Sequence, residues 1–284
     1  VTTVREAGVR GRLALAGAGL AEARLESAIL LGYVLRLDSA GLLLHAADTM
    51  GSIDITEFRA LVARRLRREP SAYITGTKPW FNMNVAVNRN VLIPRPETET
   101  LAASVISDAM ALSSRLDQAL TIVDVGTGSG AIACAIARAC PTARVLATDT
   151  EGGALRAARR NAERLAGGRI EFVQCDLLPV GVGADVVVAN LPYIPTAELA
   201  DLEPELAYEP RSALDGGVAG MDAIFGLLDR LGSGLRSGGV AWLECHHDQA
   251  ERIRARARAI AQDWSISIMS DLAGIDRFVR IEIR

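Results

Sequence analysis

The chain has 284 residues, half of them apolar and 23% charged, with a formal net charge of −3. Such a balance buries a sizeable core and excludes the basic surface expected of a general nucleic-acid binder, while no apolar run is long enough to span a membrane. The four cysteines (Cys134, Cys140, Cys175, Cys245) show no CxxC spacing, so a metal centre or a disulfide framework is not expected and a reducing, cytoplasmic setting is.

The first seventy or so residues read as helical. In Ala21–Arg36 the residues Leu25, Ile29, Leu30 and Val34 recur at helical spacing. In the stretch DITEFRALVARRLRREP, Asp54 is placed to cap a helix with Glu57 reaching back as its capping-box partner, Phe58, Leu61, Val62 and Leu66 form one stripe, and Pro70 ends the element. Arg64, Arg65, Arg67 and Arg68 lie largely off that stripe, as a solvated face or a surface for an acidic partner. The character then changes: WFNMNVAVNRNVLIP predicts a short hairpin turning at Asn88-Arg89-Asn90. Three parts are expected: a helical domain over 1–75, a hairpin connector over 76–95 and an α/β domain over 96–284.

Within 96–284 the runs ALTIVDV, ARVLATD, RIEFVQCD, ADVVVAN, GGVAWLEC and FVRIEIR alternate with helical patterns. This predicts a mostly parallel, doubly wound, Rossmann-like sheet. The first run ends at Asp124 and leads into Gly126, Thr127, Gly128 and Gly130 before a helix. Glycines at such a turn let backbone amides approach a ligand at a helix N-terminus. A dinucleotide would suit the loop and the acid Asp149, which ends the next run beside Thr150 and is placed to hold a ribose diol. Asp124, inside the motif, suits a cationic ligand with no pyrophosphate. Asp176, followed by Leu177, is placed to accept from an adenine amino group. Those two favour S-adenosylmethionine; helix capping is the plain alternative for either acid.

Together DVGTGSGAIA, NLPYIP, EPSAYITG, LIPRPETE and YEPRSALDGG, in their order and spacing, resemble the release-factor glutamine methyltransferase family. The resemblance implies a helical N-terminal domain, a hairpin connector and a class I S-adenosylmethionine-dependent domain. It also implies methyl transfer to the side-chain amide of a glutamine in the Gly-Gly-Gln loop of peptide chain release factors, leaving S-adenosylhomocysteine. An amide nitrogen is a poor nucleophile, so the Asn190 side-chain oxygen and the Leu191 carbonyl are expected to accept from its two N–H bonds. Pro192 would stiffen the corner and Tyr193 would pack beside the planar group. Pro94 and Arg95 are expected at the cofactor cleft and Glu97 as an orienter of substrate. Trp80, Glu244 and His246 are expected near the acceptor, with no metal and no stable nucleic-acid or membrane partner.

Three positions depart from the family pattern: Leu191 where proline is usual, Pro79-Trp80 where Glu-Phe is usual, and His246 where glycine is usual. They leave open a diverged acceptor, such as the δ-nitrogen of free arginine or a peptide nitrogen. The tetrapeptide also resembles that of ribosomal-RNA adenine-N6 dimethylases. A non-catalytic binding module is the remaining alternative.

Overall fold

Helices α1 (Val4–Gly17), α2 (Ala23–Leu35), α3 (Ser39–Leu44), α4 (Ser52–Leu66) and α5 (Ser71–Thr75) open the chain in the computed structural model, which describes residues 2–116 and 118–284. They group as one unit, Val1–Thr77, joined by the distant segment Glu203–Tyr208; a second unit comprises Lys78–Leu202 and Glu209–Arg284. The capping box falls at Thr3–Glu6, ahead of α1. Helix α4 starts at Ser52 after Gly51, so Asp54 lies inside its first turn, where an acid still complements the helix dipole.

The buried face of α2 differs from the expected one. Leu25 and Ile29 are exposed, and Ala23, Ser27, Leu30 and Leu31 are buried. Close packing selects that face: a Cβ on Gly11 of α1 would lie 2.6 Å from Ser27 Oγ and 2.6 Å from the Phe58 ring, and Ser27 Oγ donates to the Gly8 carbonyl at 2.9 Å. Small residues let the helices approach where leucines would hold them apart. On α4, Phe58, Leu61 and Val62 are buried but Leu66 is exposed.

Three of the four clustered arginines are held in ion pairs, and Arg67 alone is exposed among them. Arg65 is 6% exposed and lies 3.2 Å from Glu26 and 3.0 Å from Glu205. Arg68 also reaches Glu205, Arg64 pairs with Glu69 at 2.8 Å, and Tyr208 Oη donates to the Arg67 carbonyl at 2.7 Å. The acidic partner is thus the chain's own segment 203–208.

The second unit begins with a hairpin, β1 (Thr77–Trp80) and β2 (Met83–Ala86). It turns at Phe81-Asn82, both with positive φ (46° and 54°), the two-residue geometry whose twist matches paired strands. Asn88–Asn90 forms a separate turn, with Val91 N donating to the Asn88 carbonyl at 3.1 Å. Next come α6 (Glu97–Ser113), β3 (Thr121–Val125), α7 (Ala131–Ala139), β4 (Arg144–Asp149), α8 (Gly152–Ala166), β5 (Ile170–Gln174) and β6 (Ala184–Ala189). After three short 3-10 segments follow α9 (Asp222–Gly234), β7 (Leu235–Glu244), α10 (Ala250–Ile260), β8 (Ser265–Ser270) and β9 (Asp276–Glu282).

Seven strands form one sheet in the order β5-β4-β3-β6-β7-β9-β8, parallel except for β9, which runs antiparallel to both β7 and β8. Strands β3 and β6 are buried along their whole length, as expected where helices cover both faces of a parallel sheet. The order reverses between β3 and β6, and the crevice beyond their C-terminal ends is where such sheets bind ligands. Among the described residues no helix is long and apolar enough to cross a membrane, and all four cysteines are unpaired.

Candidate active site

The loop leaving β3 is held open from below. Asp124 is 1% exposed; one carboxylate oxygen accepts from Thr127 Oγ1 (2.6 Å) and from Ala133 N (3.1 Å) in the first turn of α7. Its other oxygen, Oδ1, is buried without a partner. Burial is the main reason its pKa rises to about 6, partly offset by those two hydrogen bonds. Asp124 therefore braces the loop and caps α7, and it does not line the cleft above.

That cleft is lined by Gly126, Thr127 and Gly128 from the loop, by Asp149 and Thr150 after β4, and by Asp176 and Leu177 after β5. Asn190, Leu191 and Pro192 after β6, and Trp80, Pro94 and Arg95 from the connector, complete the expected set. Asp149 accepts from Gly128 N at 2.9 Å and from Glu151 N at 2.9 Å, tying two strand ends together, while burial raises its pKa. Gly126 (φ +70°) faces the tetrapeptide: a Cβ there would lie 2.8 Å from Leu191 Cδ2. Leu191 is 6% exposed, and its side chain packs against the loop. Asp176 pairs with Arg230 at 2.6 Å and is otherwise open to solvent.

The motif segments meet through hydrogen bonds that no single motif announces. Trp80 Nε1 donates to the Arg95 carbonyl at 2.8 Å. Glu209 accepts from Arg95 at 2.6 Å and from Ile93 N at 3.0 Å. The fully buried Asn161 donates to the carbonyls of Ser129 and Ala86, both at 2.8 Å, clamping hairpin and glycine loop to α8. Asn161 sits in an ordinary amphipathic helix pattern, and only its burial reveals it.

Around the tetrapeptide, Asn190 Nδ2 donates to Thr98 Oγ1 at 3.1 Å. Gln249 donates to the Tyr193 carbonyl at 2.8 Å and accepts from His246 N at 3.1 Å. The Tyr193 and His246 rings lie 6.4 Å apart. Burial, with Glu244 nearby, pushes the Tyr193 phenol up to about 12, so it stays protonated near neutral pH. Glu97 opens α6 as expected, but Glu97, Glu244, Tyr193, His246 and Gly130 are not cleft-lining residues. Thr98 lines the cleft and went unremarked in the sequence, where a lone threonine in a first helical turn carries no signal.

His246, His247 and Asp248 bring potential ligand atoms within 4.8 Å of one another. Asp248 is a third donor that the sequence did not suggest, although it already accepts from His246 Nδ1 at 2.7 Å.

A family profile described as "PrmC N-terminal domain" matches residues 6–76, and one described as "Methyltransferase domain" matches residues 122–207. The release factor glutamine methyltransferase of Moorella thermoacetica is 38% identical over 280 residues, covering 97% of this chain and 96% of that one. The chain belongs to the release factor glutamine methyltransferase family. The family's Bordetella pertussis member is likewise 38% identical, over 89% of this chain and 93% of its own. Among solved structures, the hMettl16 catalytic domain in complex with a 3'UTR hairpin matches with a TM-score of 0.55 at 14% identity, covering 70% of this chain and 75% of that chain. That likeness supports the methyltransferase fold alone.

The cleft residues fit the S-adenosylmethionine of such a methyltransferase. The loop approaches Leu191 so closely that a side chain at position 126 would collide, which keeps the floor of the cleft open beside the loop. Asp149 at the end of β4 supplies a carboxylate beside that loop.

Proposed function

We propose that this protein transfers a methyl group from S-adenosylmethionine to the side-chain amide nitrogen of a glutamine in a peptide chain release factor. The observation that carries the reading is the placement of Asn190–Pro192 at the exit of β6, in one cleft with the glycine loop of β3 and Asp149. When bound, the cofactor supplies an electrophilic methyl on a sulfonium. The glycine loop, Asp149, Thr150 and Asp176 would hold it, with Arg95 and Pro94 closing the cleft from the connector.

The acceptor requires orientation more than activation, because the amide lone pair is delocalised and its N–H bonds must be gripped to direct it. Asn190 uses its Nδ2 on Thr98, which leaves Oδ1 free to accept from the acceptor's NH2. The Leu191 carbonyl is the second acceptor. Pro192, next in the chain, restricts the backbone of Leu191 and so the direction of that carbonyl. Leucine in place of proline keeps this carbonyl; its buried side chain provides stiffness by packing where a ring would provide it covalently. Tyr193, outside the cleft lining and protonated near neutral pH, takes no proton, so the proton freed at nitrogen leaves to solvent. The proposal includes no metal, membrane or nucleic-acid partner.

The test incubates the protein and labelled S-adenosylmethionine with a release factor, with free amino acids, and with both after EDTA treatment. Label on the release factor, unchanged by EDTA, is expected. Label confined to free arginine or another small molecule would replace this acceptor with a small one, for which the departures at Leu191, Trp80 and His246 are the motivation. Loss of transfer on EDTA treatment would overturn the metal-free reading.

A further inference from the structure

The corner Asn190–Pro192 is anchored at both ends. Upstream, Ala189 is the last paired residue of β6, in register with Val125 of β3 and Leu243 of β7. Downstream, Ile194 N donates to the Leu214 carbonyl at 3.0 Å, and Gly216 N donates to the Ile194 carbonyl at 2.8 Å. Thr196 N extends the pairing to the Gly217 carbonyl at 2.9 Å. Two glycines press their backbone against the corner. A Cβ on Gly216 would lie 2.7 Å from the Pro192 carbonyl oxygen, and one on Gly220 would collide with the Tyr193 carbonyl oxygen.

The Tyr193 carbonyl, between these anchors, is held by a side chain. Gln249 Nε2 donates to it at 2.8 Å and to the Gly220 carbonyl at 3.2 Å, while Gln249 Oε1 accepts from His246 N at 3.1 Å. All three partners are backbone groups whose donor or acceptor character is fixed, so this amide fits one way round. Gln249 is 2% exposed. It also stands at the N-cap of α10, where a polar side chain can accept from the first-turn amides of its own helix. Gln249 makes no such bond. Its amide is turned away from α10 and grips the exit of the tetrapeptide.

We propose that Gln249 is a positioning residue for methyl transfer, which holds the Tyr193 carbonyl so that the Leu191 carbonyl stays aimed at the acceptor amide. The proposal rests on the methyl-transfer reading above and deepens it. Pro192 has a fixed φ and restricts the ψ of Leu191, so with both ends tied few backbone torsions of the corner can vary. Releasing the Tyr193 carbonyl returns torsional freedom between Pro192 and Ile194, and the Leu191 carbonyl swings with it. A misplacement of about 1 Å in a positioning group costs on the order of a hundredfold in rate. The glycine loop and Asp149 belong to other strand ends, so cofactor binding does not depend on Gln249.

The first readout needs no acceptor. Tyrosine carrying 13C at its carbonyl, combined with isoleucine carrying 15N, marks Tyr-Ile peptide bonds alone, which occur at 73–74 and 193–194. The 193–194 signal is identified by its loss in Ile194→Val. In Gln249→Met, similar in size and unable to donate, that signal is expected to move while the 73–74 signal stays. Gln249→Glu is the second variant, because it keeps an acceptor for His246 N and, when ionised, offers no donor to the two carbonyls; the same shift is expected. A 193–194 signal unchanged in both variants would overturn the proposal, whatever the acceptor is.

The second readout separates positioning from general support of the fold. In either variant, kcat on a release factor at saturating cofactor is expected to fall about thirty- to a hundredfold, with S-adenosylmethionine affinity by calorimetry within about threefold of wild type. A loss of cofactor affinity as large as the loss of kcat would overturn the positioning role, as would a kcat within about twofold of wild type. Absence of transfer by the wild-type protein would instead count against the release-factor reading and leave the peptide-bond signals to judge Gln249.

Discussion

Replacing Gly130 by alanine tests how tightly the glycine loop is built into the fold. Gly130 has φ +77°, and a Cβ placed on it would lie 2.9 Å from Ala158 Cβ and 3.1 Å from Ala158 Cα. Left-handed backbone costs an L-residue roughly 1–2 kcal/mol. No rotamer change relieves a collision with the Ala158 backbone, so α8 must move relative to α7, an overpacking penalty of about 1–3 kcal/mol. The sum, about 2–5 kcal/mol, is a large share of the 5–15 kcal/mol typical of a folded domain. Urea unfolding of Gly130→Ala, Ala158→Gly and the double variant separates the two contributions. Ala158→Gly alone costs about 1 kcal/mol of helix propensity. In the double variant it should recover about 1 kcal/mol of the Gly130→Ala loss, because the collision between the two methyl groups is gone. A Gly130→Ala stability within about 0.5 kcal/mol of wild type would refute the packing argument.

Asn190→Ala is expected to lower kcat by at least about a hundredfold while S-adenosylmethionine affinity, measured by calorimetry, stays within a few-fold; an equal loss of binding would mean that Asn190 serves the cofactor instead. Asp124→Asn should stabilise the ligand-free protein at higher pH. The folded-state pKa of Asp124 is raised to about 6, so the folded state holds its proton more tightly than the unfolded chain and stability drains away as pH rises from about 4 through 6. The asparagine variant should accordingly match wild type at pH 4 and exceed it by up to about 3 kcal/mol at pH 8 in denaturant titrations. Arg65→Ala should destabilise the helical unit by roughly 3 kcal/mol in thermal melts, since it strands Glu26 without its cation and leaves Glu205 only Arg68. A melt unchanged from wild type would return the arginine cluster to the solvated surface.

The parallel sheet and the cofactor loop were legible because their signals are local. Buried runs such as Val186–Ala189 are apolar throughout, and Gly126–Gly130 follow a strand and precede a helix. Strand β8 was missed because SISIMS is short and alternates at the sheet edge, a pattern that a loop shares; only its pairing with β9 defines it. The hairpin turn was misplaced because Phe81-Asn82 carries no glycine, and Asn88–Asn90 has the stronger turn composition. The capping box was assigned to Asp54–Glu57 because residue types alone cannot tell a cap from a first-turn acid. Helix α2 is apolar on more than one side, so its periodicity could not choose the buried face; the small residues at Ala23 and Ser27 did. Thr98, Asn161 and Glu209 act through partners about thirty to more than a hundred positions away, and a sequence offers no pattern for such bonds. The segment 203–208 joins the helical unit for the same reason: Glu205 is one acid among many until Arg65 and Arg68 are seen around it.

The most direct measurement is a crystal structure with S-adenosylhomocysteine and a glutamine-bearing peptide from a release factor. The account predicts the glutamine amide nitrogen within hydrogen-bonding distance of Asn190 Oδ1 and the Leu191 carbonyl, facing the cofactor sulfur across the cleft. A glutamine bound elsewhere, or Asn190 Oδ1 turned inward toward Thr98 while the cleft is filled, would contradict it.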